Sequence, residues 1–387
     1  MTIMKKRVGK KFSSETEMLV NYQYEIYPNE EQRKKLDTWL HYCRHLYNSA
    51  LIDKHRMYQE DKTNYSRYDM QKQLVVDKKK FPFLSEVPSQ PLQEVFVRLE
   101  KAFNGFFDQR SKYPKIKKYK DYNSLTFTQF GYNKKGNRMA LSFTEDGKLF
   151  NGKIGTVNIK MHRPIEGAIK QVVIKRKGGR WFAIFSVVGQ VKPQTLRILE
   201  AVGIDVGLNK YAVLSDGTEI ENPRYLRQAE KQLRKAQKKL SRMTRGSANY
   251  KQQAAKVEKL HMKVANQRKD FLHKKSYRIA INHSVVCVED LNIRQMVRNR
   301  KLSKSISDAG WGMFRNMLGY KCRRNGGLLV KVIPEYTTQD CSSCRNRVKK
   351  SLSVRTHICM RCGAVLGRDH NAARNILAKG LEQLQIA

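Results

Sequence analysis

Acidic side chains are scarce: 34 Asp and Glu stand against 77 Lys and Arg in 387 residues, a formal net charge of +43. So one-sided a charge repels itself and predicts a polyanionic partner, nucleic acid, with binding that weakens steeply as salt rises. Basic residues run the whole length, interleaved with Tyr and Phe. Neither a basic tail on a neutral protein nor a lone membrane-surface helix accounts for that distribution. Charge alone leaves RNA and DNA equally open. No apolar run is long enough to span a bilayer, so no membrane partner is expected. Met1 to Lys11 is basic with no apolar run behind it, so a secretory leader is not expected either. A reducing, cytoplasmic compartment follows, with the protein held at the nucleoid through nucleic acid. Internal repeats and low-complexity stretches are missing.

Cysteine is also sparse, yet four of the seven form two Cys-x-x-Cys pairs, Cys341/Cys344 and Cys359/Cys362, separated by fourteen residues. Tetrahedral Zn(II) takes four thiolates from two such turns, so the spacing predicts a zinc ribbon, one residue shorter than the usual loop. Four reduced core thiols or two disulfides fit less well, because these pairs sit among Arg and Lys and the compartment is reducing. Cys43, Cys287 and Cys322 lie in apolar patterns and are expected in cores.

Along the chain, Val20, Tyr22, Tyr24 and Ile26 alternate with polar residues and predict a half-buried strand ended by Pro28. Asn29 and Gln32 make a capping box before Leu36, Trp39, Leu40, Cys43, Leu46, Tyr47, Ala50 and Leu51 at helical spacing. Helical pattern continues from Tyr68 to Val76 and from Pro91 to Gln109. After the basic aromatic linker 111–120 come short strands, 156–160, 172–175 and 181–188, punctuated by Gly136, Asp146-Gly147 and Gly178-Gly179. With the first strand they predict a small antiparallel barrel split by a helical bundle. The segment 190–199, with Pro193, reads as a linker.

The segment 201–207, with its Gly-bounded carboxylate, the strand 211–214, the Asp216-Gly217 turn and the strand 218–220 begin as a ribonuclease H type fold does. Residues 225–279 hold no Pro and one Gly, and Leu226, Ala229, Leu233, Ala236 and Leu240 recur by threes and fours. Two long basic helices packed as an antiparallel hairpin are expected, either gripping nucleic acid or forming a solvated arm. A buried strand 284–288, a helix from Asp308, a strand 328–333 and a last helix from His370 to about Ala378 complete the pattern.

Among so few acids, three stand at informative places: Asp205 ends the first strand of this region, Glu289 ends a later strand, and Asp369 opens the last helix. Phosphodiester cleavage by two divalent metals needs carboxylates that converge from separate elements, so that two hard cations lie about 3.5 to 4 Å apart. In a ribonuclease H sheet those three places meet at one edge. Asp290 points to the opposite face of its strand and is left out.

The segments GIDVGLNKYAV at 203–213, VVCVEDLNI at 285–293, TTQDCSSC, CMRCG and GRDHNAARNIL at 367–377 resemble the three RuvC motifs and zinc ribbon of TnpB proteins. These are encoded by bacterial insertion sequences and related to compact type V CRISPR effectors. SQPLQEVFVRLEKAFNGFF at 89–107 and YPKIKK extend the likeness over nearly the whole chain. Two departures are Arg345, where a Gly usually follows the first knuckle, and the short tail beyond the last helix.

The resemblance implies an α/β multidomain protein. A wedge β-barrel domain (1–28 and 112–192) would be interrupted by an α-helical recognition lobe (29–111). An RNase H-like RuvC nuclease domain (200–336 and 366–387) would follow, with the hairpin 225–279 and a zinc-ribbon, target-nucleic-acid-binding insertion (337–365). It implies a guide RNA from the element's own end, a double-stranded DNA target beside a short motif, and a monomeric protein on its RNA. It carries Asp205, Glu289 and Asp369 over as ligands of two Mg(II) ions, and Cys341, Cys344, Cys359 and Cys362 as ligands of Zn(II). Gln90, Gln93, Thr126 and Thr128 are candidates to read the motif at base edges, with ordinary surface roles open for each. Two rivals remain: an RNA-guided repressor that binds without cutting, which would have lost an acid, and an RNase H-like transposase, for which no separate helix-turn-helix is evident.

Overall fold

The structure is a computed structural model that describes residues 17–133, 135–193, 200–351 and 353–385. Two compact units result, Met18–Gly189 and one containing Gln190–Ala387.

In the first unit, β1 (Glu17–Tyr27) alternates as expected, with Tyr22, Tyr24 and Ile26 buried. The Asn29 capping box forms: Asn29 Oδ1 accepts from Gln32 N at 2.8 Å and Gln32 Oε1 accepts from Asn29 N at 3.0 Å. It launches α1 (Glu30–Asp61), a helix of 32 residues that buries Leu36, Trp39, Leu40, Cys43, Tyr47, Ala50 and Leu51. Helices α2 (Arg67–Lys80) and α3 (Ser89–Phe107) follow, α3 burying Leu92, Val95, Phe96, Leu99 and Phe103. The strands are β2 (Ser124–Phe127), β3 (Ser142–Phe143), β4 (Leu149–Asn151), β5 (Gly155–Lys160), β6 (Ala168–Lys177) and β7 (Arg180–Gln190).

They form one seven-stranded sheet in the order β2-β6-β7-β1-β5-β4-β3. The part of the structure expected as a barrel is a curled antiparallel sheet. Among the described residues the outer strands β2 and β3 share no ladder, and isolated bridges, Phe130 to Leu141 and Tyr132 to Arg138, join the segments between them. Trp39, Leu92, Phe127, Leu149 and Phe185 belong to one hydrophobic core, so the helices cover the sheet that they interrupt. The expected linker 190–199 falls largely outside the described residues, at 194–199.

The second unit opens with β8 (Ala201–Val206), β9 (Lys210–Leu214) and β10 (Glu219–Glu221). Gly217, at φ 88°, makes the expected turn, and Asp216 Oδ1 accepts from Thr218 N at 2.8 Å. The hairpin is α4 (Tyr225–Ser241) and α5 (Ala248–Asn282), turned near Gly246 at φ 92°. Buried Gln253 pins it by donating to Ala236 O at 2.8 Å. Next come β11 (Val285–Glu289), α6 (Ile293–Met296), α7 (Ser303–Ala309), α8 (Trp311–Arg324), β12 (Leu328–Val332), β13 (Thr356–Ile358), β14 (Val365–Gly367) and α9 (Arg368–Gln383).

The helix expected from Asp308 forms as α8 with Trp311, Phe314, Met317 and Leu318 buried, but begins at Trp311, because Asp308 lies in the last turn of a separate helix, α7. Gly310, at φ 69°, stops α7 in the left-handed conformation that glycine adopts without strain. Asp308 instead caps the hairpin, its carboxylate accepting from Leu226 N at 3.0 Å and Arg268 Nη2 at 2.6 Å.

β10-β9-β8-β11-β12 make a mixed sheet, parallel across β8, β11 and β12. Alternation sorts its residues. Val202, Ile204, Val286 and Val288 pack with Leu272, Phe314 and Leu318 of α5 and α8, whereas Val285, Cys287, Val330 and Val332 pack with Ile376 of α9.

Candidate metal centres and carboxylate site

β8 and β11 run parallel with Val288 beside Ile204, so one residue further on Glu289 lies next to Asp205 on the same face. That face is the one α9 covers, and glycine decides how closely. A Cβ on Gly203 would lie 2.1 Å from Ala373 O, and one on Gly380 would lie 2.2 Å from Cys287 Sγ. The helix therefore lies directly on the strands, and its first turn carries Asp369. Gly203→Ala must lift α9, because a backbone oxygen cannot rotate away. The expected cost is about 1–3 kcal/mol, read as a drop in melting temperature of several degrees; an unchanged melt would contradict this packing.

Electrostatics agree with convergence. Burial first, then the charges of Glu289 and Asp369, push the Asp205 carboxyl well above the usual carboxylate range, against a smaller opposing effect of Arg368. Burial also raises Glu289, while the Thr337 hydroxyl and Lys379 pull it back. Thr337 Oγ1 donates to Glu289 Oε1 at 2.6 Å, and Arg368 Nε lies 3.3 Å from Asp369 Oδ1. Asp290 turns outward to Arg315 at 2.6 Å.

Three half-buried carboxylates that repel one another form an all-oxygen donor set, the chemistry that a hard divalent cation fits. Among the described residues, though, only the four cysteines bring their ligand atoms within 4.8 Å of one another. The acids face one another without closing into so tight a group.

The cysteines do close. Cys341 Sγ lies 3.7 Å from Cys362 Sγ, and Cys344 Sγ lies 3.6 Å from Cys359 Sγ. A disulfide needs about 2.05 Å, whereas thiolates around Zn(II) at 2.3 Å sit about 3.8 Å apart, so the geometry fits zinc. Both knuckles have one build: Arg345 N donates to Cys341 O and Gly363 N to Cys359 O, each at 2.8 Å. Arg345 (φ 61°) and Gly363 (φ 73°) are both left-handed, so the arginine that departs from the motif stands where glycine would be relaxed. Backbone N–H groups of Cys362 and Arg361 hold the Cys359 thiol down to about 6, ready to ligate. Cys43, Cys287 and Cys322 are fully buried, and burial pushes each up to about 12, as inert core thiols.

Three residues inside the quoted segments are given no role by sequence. Asn375 Nδ2 donates to Thr337 O at 2.8 Å and to Asp340 O at 2.6 Å, and Asn371 Nδ2 donates to Asp340 O at 2.8 Å. Asn371 Oδ1 accepts from Ser342 N at 2.9 Å. These asparagines, four apart on α9, and Thr337 thus join the carboxylate site to the first cysteine knuckle. The signal available was the i, i+4 spacing of two amides on an otherwise apolar helix face.

Of the base-reading candidates, Gln93 and Thr128 are exposed. Thr126 is 7% exposed and its hydroxyl accepts from Arg98 Nη2 at 2.8 Å. Gln90 is similarly engaged: its Oε1 accepts from Thr128 N at 3.0 Å and Gln129 N at 3.2 Å, and its Nε2 donates to Gln129 Oε1 at 2.8 Å.

Comparison with known proteins gives three family matches. A pattern described as "Probable transposase" covers residues 185–300, one described as "Cas12f1-like, TNB domain" covers 311–376, and one described as "Helix-turn-helix domain" covers 18–63. The last was not evident in the sequence, and residues 18–63 fold as a strand and one unbroken helix. A "Putative RNA-guided DNA endonuclease" from Streptomyces pristinaespiralis is 36% identical over 93% of this chain and 89% of its own length. "Putative RNA-guided DNA endonuclease InsQ" from Escherichia coli is 30% identical over 93% and 92%. A solved Cas12f1-sgRNA-target DNA complex shares the fold, with a TM-score of 0.59, 13% identity, and coverage of 94% of this chain and 99% of that one. Similar to both relatives over nearly their whole lengths, the chain belongs to the TnpB family of RNA-guided DNA endonucleases.

Proposed function

We propose that this protein binds a guide RNA from its own element, recognises a short target-adjacent motif and cleaves double-stranded DNA at one RuvC site by two-metal hydrolysis. The observation that carries this reading is the convergence of Asp205, Glu289 and Asp369 on the face beneath α9. In the same reading the curled sheet is the wedge domain, α1 to α3 the recognition lobe, the mixed sheet the RNase H-like RuvC domain, and 337–365 the zinc-bearing insertion.

When bound, Mg(II) ions supply water activation and stabilisation of the departing 3'-oxygen. The chain's own contribution is to hold the ligands. Asp205 and Glu289 are set side by side by strand register, Asp369 is set by the start of α9, and Arg368 steadies it. Cys341, Cys344, Cys359 and Cys362 would hold Zn(II). RNA pairing selects the target while the protein grips backbone by charge, with Gln90, Gln93, Thr126 and Thr128 the candidates for motif contact, Gln93 and Thr128 the exposed pair. The repressor reading is disfavoured because all three acids are present, and the transposase reading because residues 18–63 lack helix-turn-helix geometry. The active species is a monomer on its RNA.

Protein co-expressed with its flanking DNA is expected to co-purify with one RNA species that maps to the end of the element, and to release it steeply with salt. Protein free of any such RNA would overturn the reading.

A further inference from the structure

Thr337 opens the TTQDCSSC segment but is given no role by it, yet it is 2% exposed and its hydroxyl donates to Glu289 Oε1 at 2.6 Å. Pro334 O, at 3.2 Å, is the other acceptor within reach. A hydroxyl has one proton, and the shorter, charge-assisted bond to the carboxylate takes it. That bond fixes the rotamer of the acid that ends β11, whose backbone is already held by its pairing with Val332 of β12.

Thr337 is itself held. Asn375, 9% exposed, donates to its carbonyl, and Asn371, fully buried, anchors Asp340 and Ser342 on either side of Cys341. Helix α9 therefore supplies one acid, Asp369, from its first turn, and fixes a second, Glu289, through an amide one to two turns further along. The cysteine knuckle is tied to the same segment.

We infer that Thr337 is a positioning residue that sets the Glu289 carboxylate for divalent-cation binding, with Asn375 and Asn371 holding the 337–342 segment in register with α9. The inference rests on Glu289 being a cation ligand. Partners that orient a ligating group are worth about 10–100-fold in metal affinity, so the expected effect is on cation affinity before it is on folding or RNA binding.

The test uses the full chain with its RNA. Thr337→Val is expected to raise the Mg(II) concentration for half-maximal cleavage at least about tenfold and to weaken Ca(II) binding, read by titration calorimetry, to a similar extent. Affinities for RNA and target DNA stay unchanged, and Thr337→Ser restores both cation readouts. Wild-type cation readouts in Thr337→Val overturn the inference. Should Thr337→Val fail to fold, Thr337→Ser decides: wild-type readouts support the hydroxyl, and weakened ones overturn it. Glu289→Gln separates the layers. If it still cleaves, the underlying reading fails; if it is inactive while Thr337→Val is normal, only the inference fails.

Discussion

Asp205→Ala is expected to abolish target cleavage, by at least about a thousandfold or ~4 kcal/mol of barrier, and to leave RNA binding at wild-type strength. Asp205 sits at the centre of the constellation: strand register puts Glu289 beside it, and the charges of both Glu289 and Asp369 act on it. Removing it opens the donor set that would hold both cations, while the hairpin and the curled sheet keep their own cores. Retained cutting would remove the acids from the mechanism.

A second readout does not depend on catalysis. Because the folded Asp205 carboxyl titrates above its unfolded value, its ionised form destabilises the metal-free fold. The cost is absent below the unfolded value and grows as pH rises through the folded one. Asp205→Asn should therefore melt higher than wild type at neutral pH without divalent cations, and the gap should close in acid. Mg(II) should raise the melting temperature of wild type and not of the variant. A variant that melts lower at neutral pH would contradict the repulsion.

Cys359→Ser is expected to carry the other large effect. Structural zinc contributes on the order of 10–16 kcal/mol at such sites, as much as an entire domain's net stability of about 5–15 kcal/mol. Among the described residues the ribbon around it has two short strands, β13 and β14, and an isolated bridge from Asp340 to Arg347. Wild type should hold about one zinc per chain. The variant should hold none, become open to proteolysis between the knuckles, and lose cleavage through the Thr337 segment tied to Cys341. RNA binding should survive. A zinc-free variant that still cleaves would uncouple the ribbon from the acids.

Much of this was legible because local chemistry and tertiary structure agree. The alternation of Tyr22, Tyr24 and Ile26, the Asn29 capping box and the Asp216-Gly217 turn formed as read. The knuckle spacing foretold the thiol cluster, and the burial of Cys43, Cys287 and Cys322 followed from their apolar neighbours. Other features depend on partners distant in sequence. An apolar pattern continues past Gly310, so the break in backbone conformation there was hidden. Whether a curled sheet closes depends on the pairing of β2 with β3, which periodicity does not encode. The last helix runs from Arg368 to Gln383 rather than from His370 to about Ala378, since its C-terminal half packs on the strands through Gly380 and Leu377. Thr126 looked like a surface strand residue until Arg98 covered it. The link from Thr337 to Glu289 spans 48 positions and two elements.

The most direct measurement is single-turnover cleavage of supercoiled plasmid by the purified protein–RNA complex in Mg(II), with targets matched or mismatched to the bound RNA beside a randomised flank. Matched targets beside one short motif are expected to be cut, and none with Asp205→Ala, Glu289→Gln or Asp369→Asn. Tight binding of matched DNA without cutting, or cutting that ignores the RNA sequence, would contradict RNA-guided cleavage.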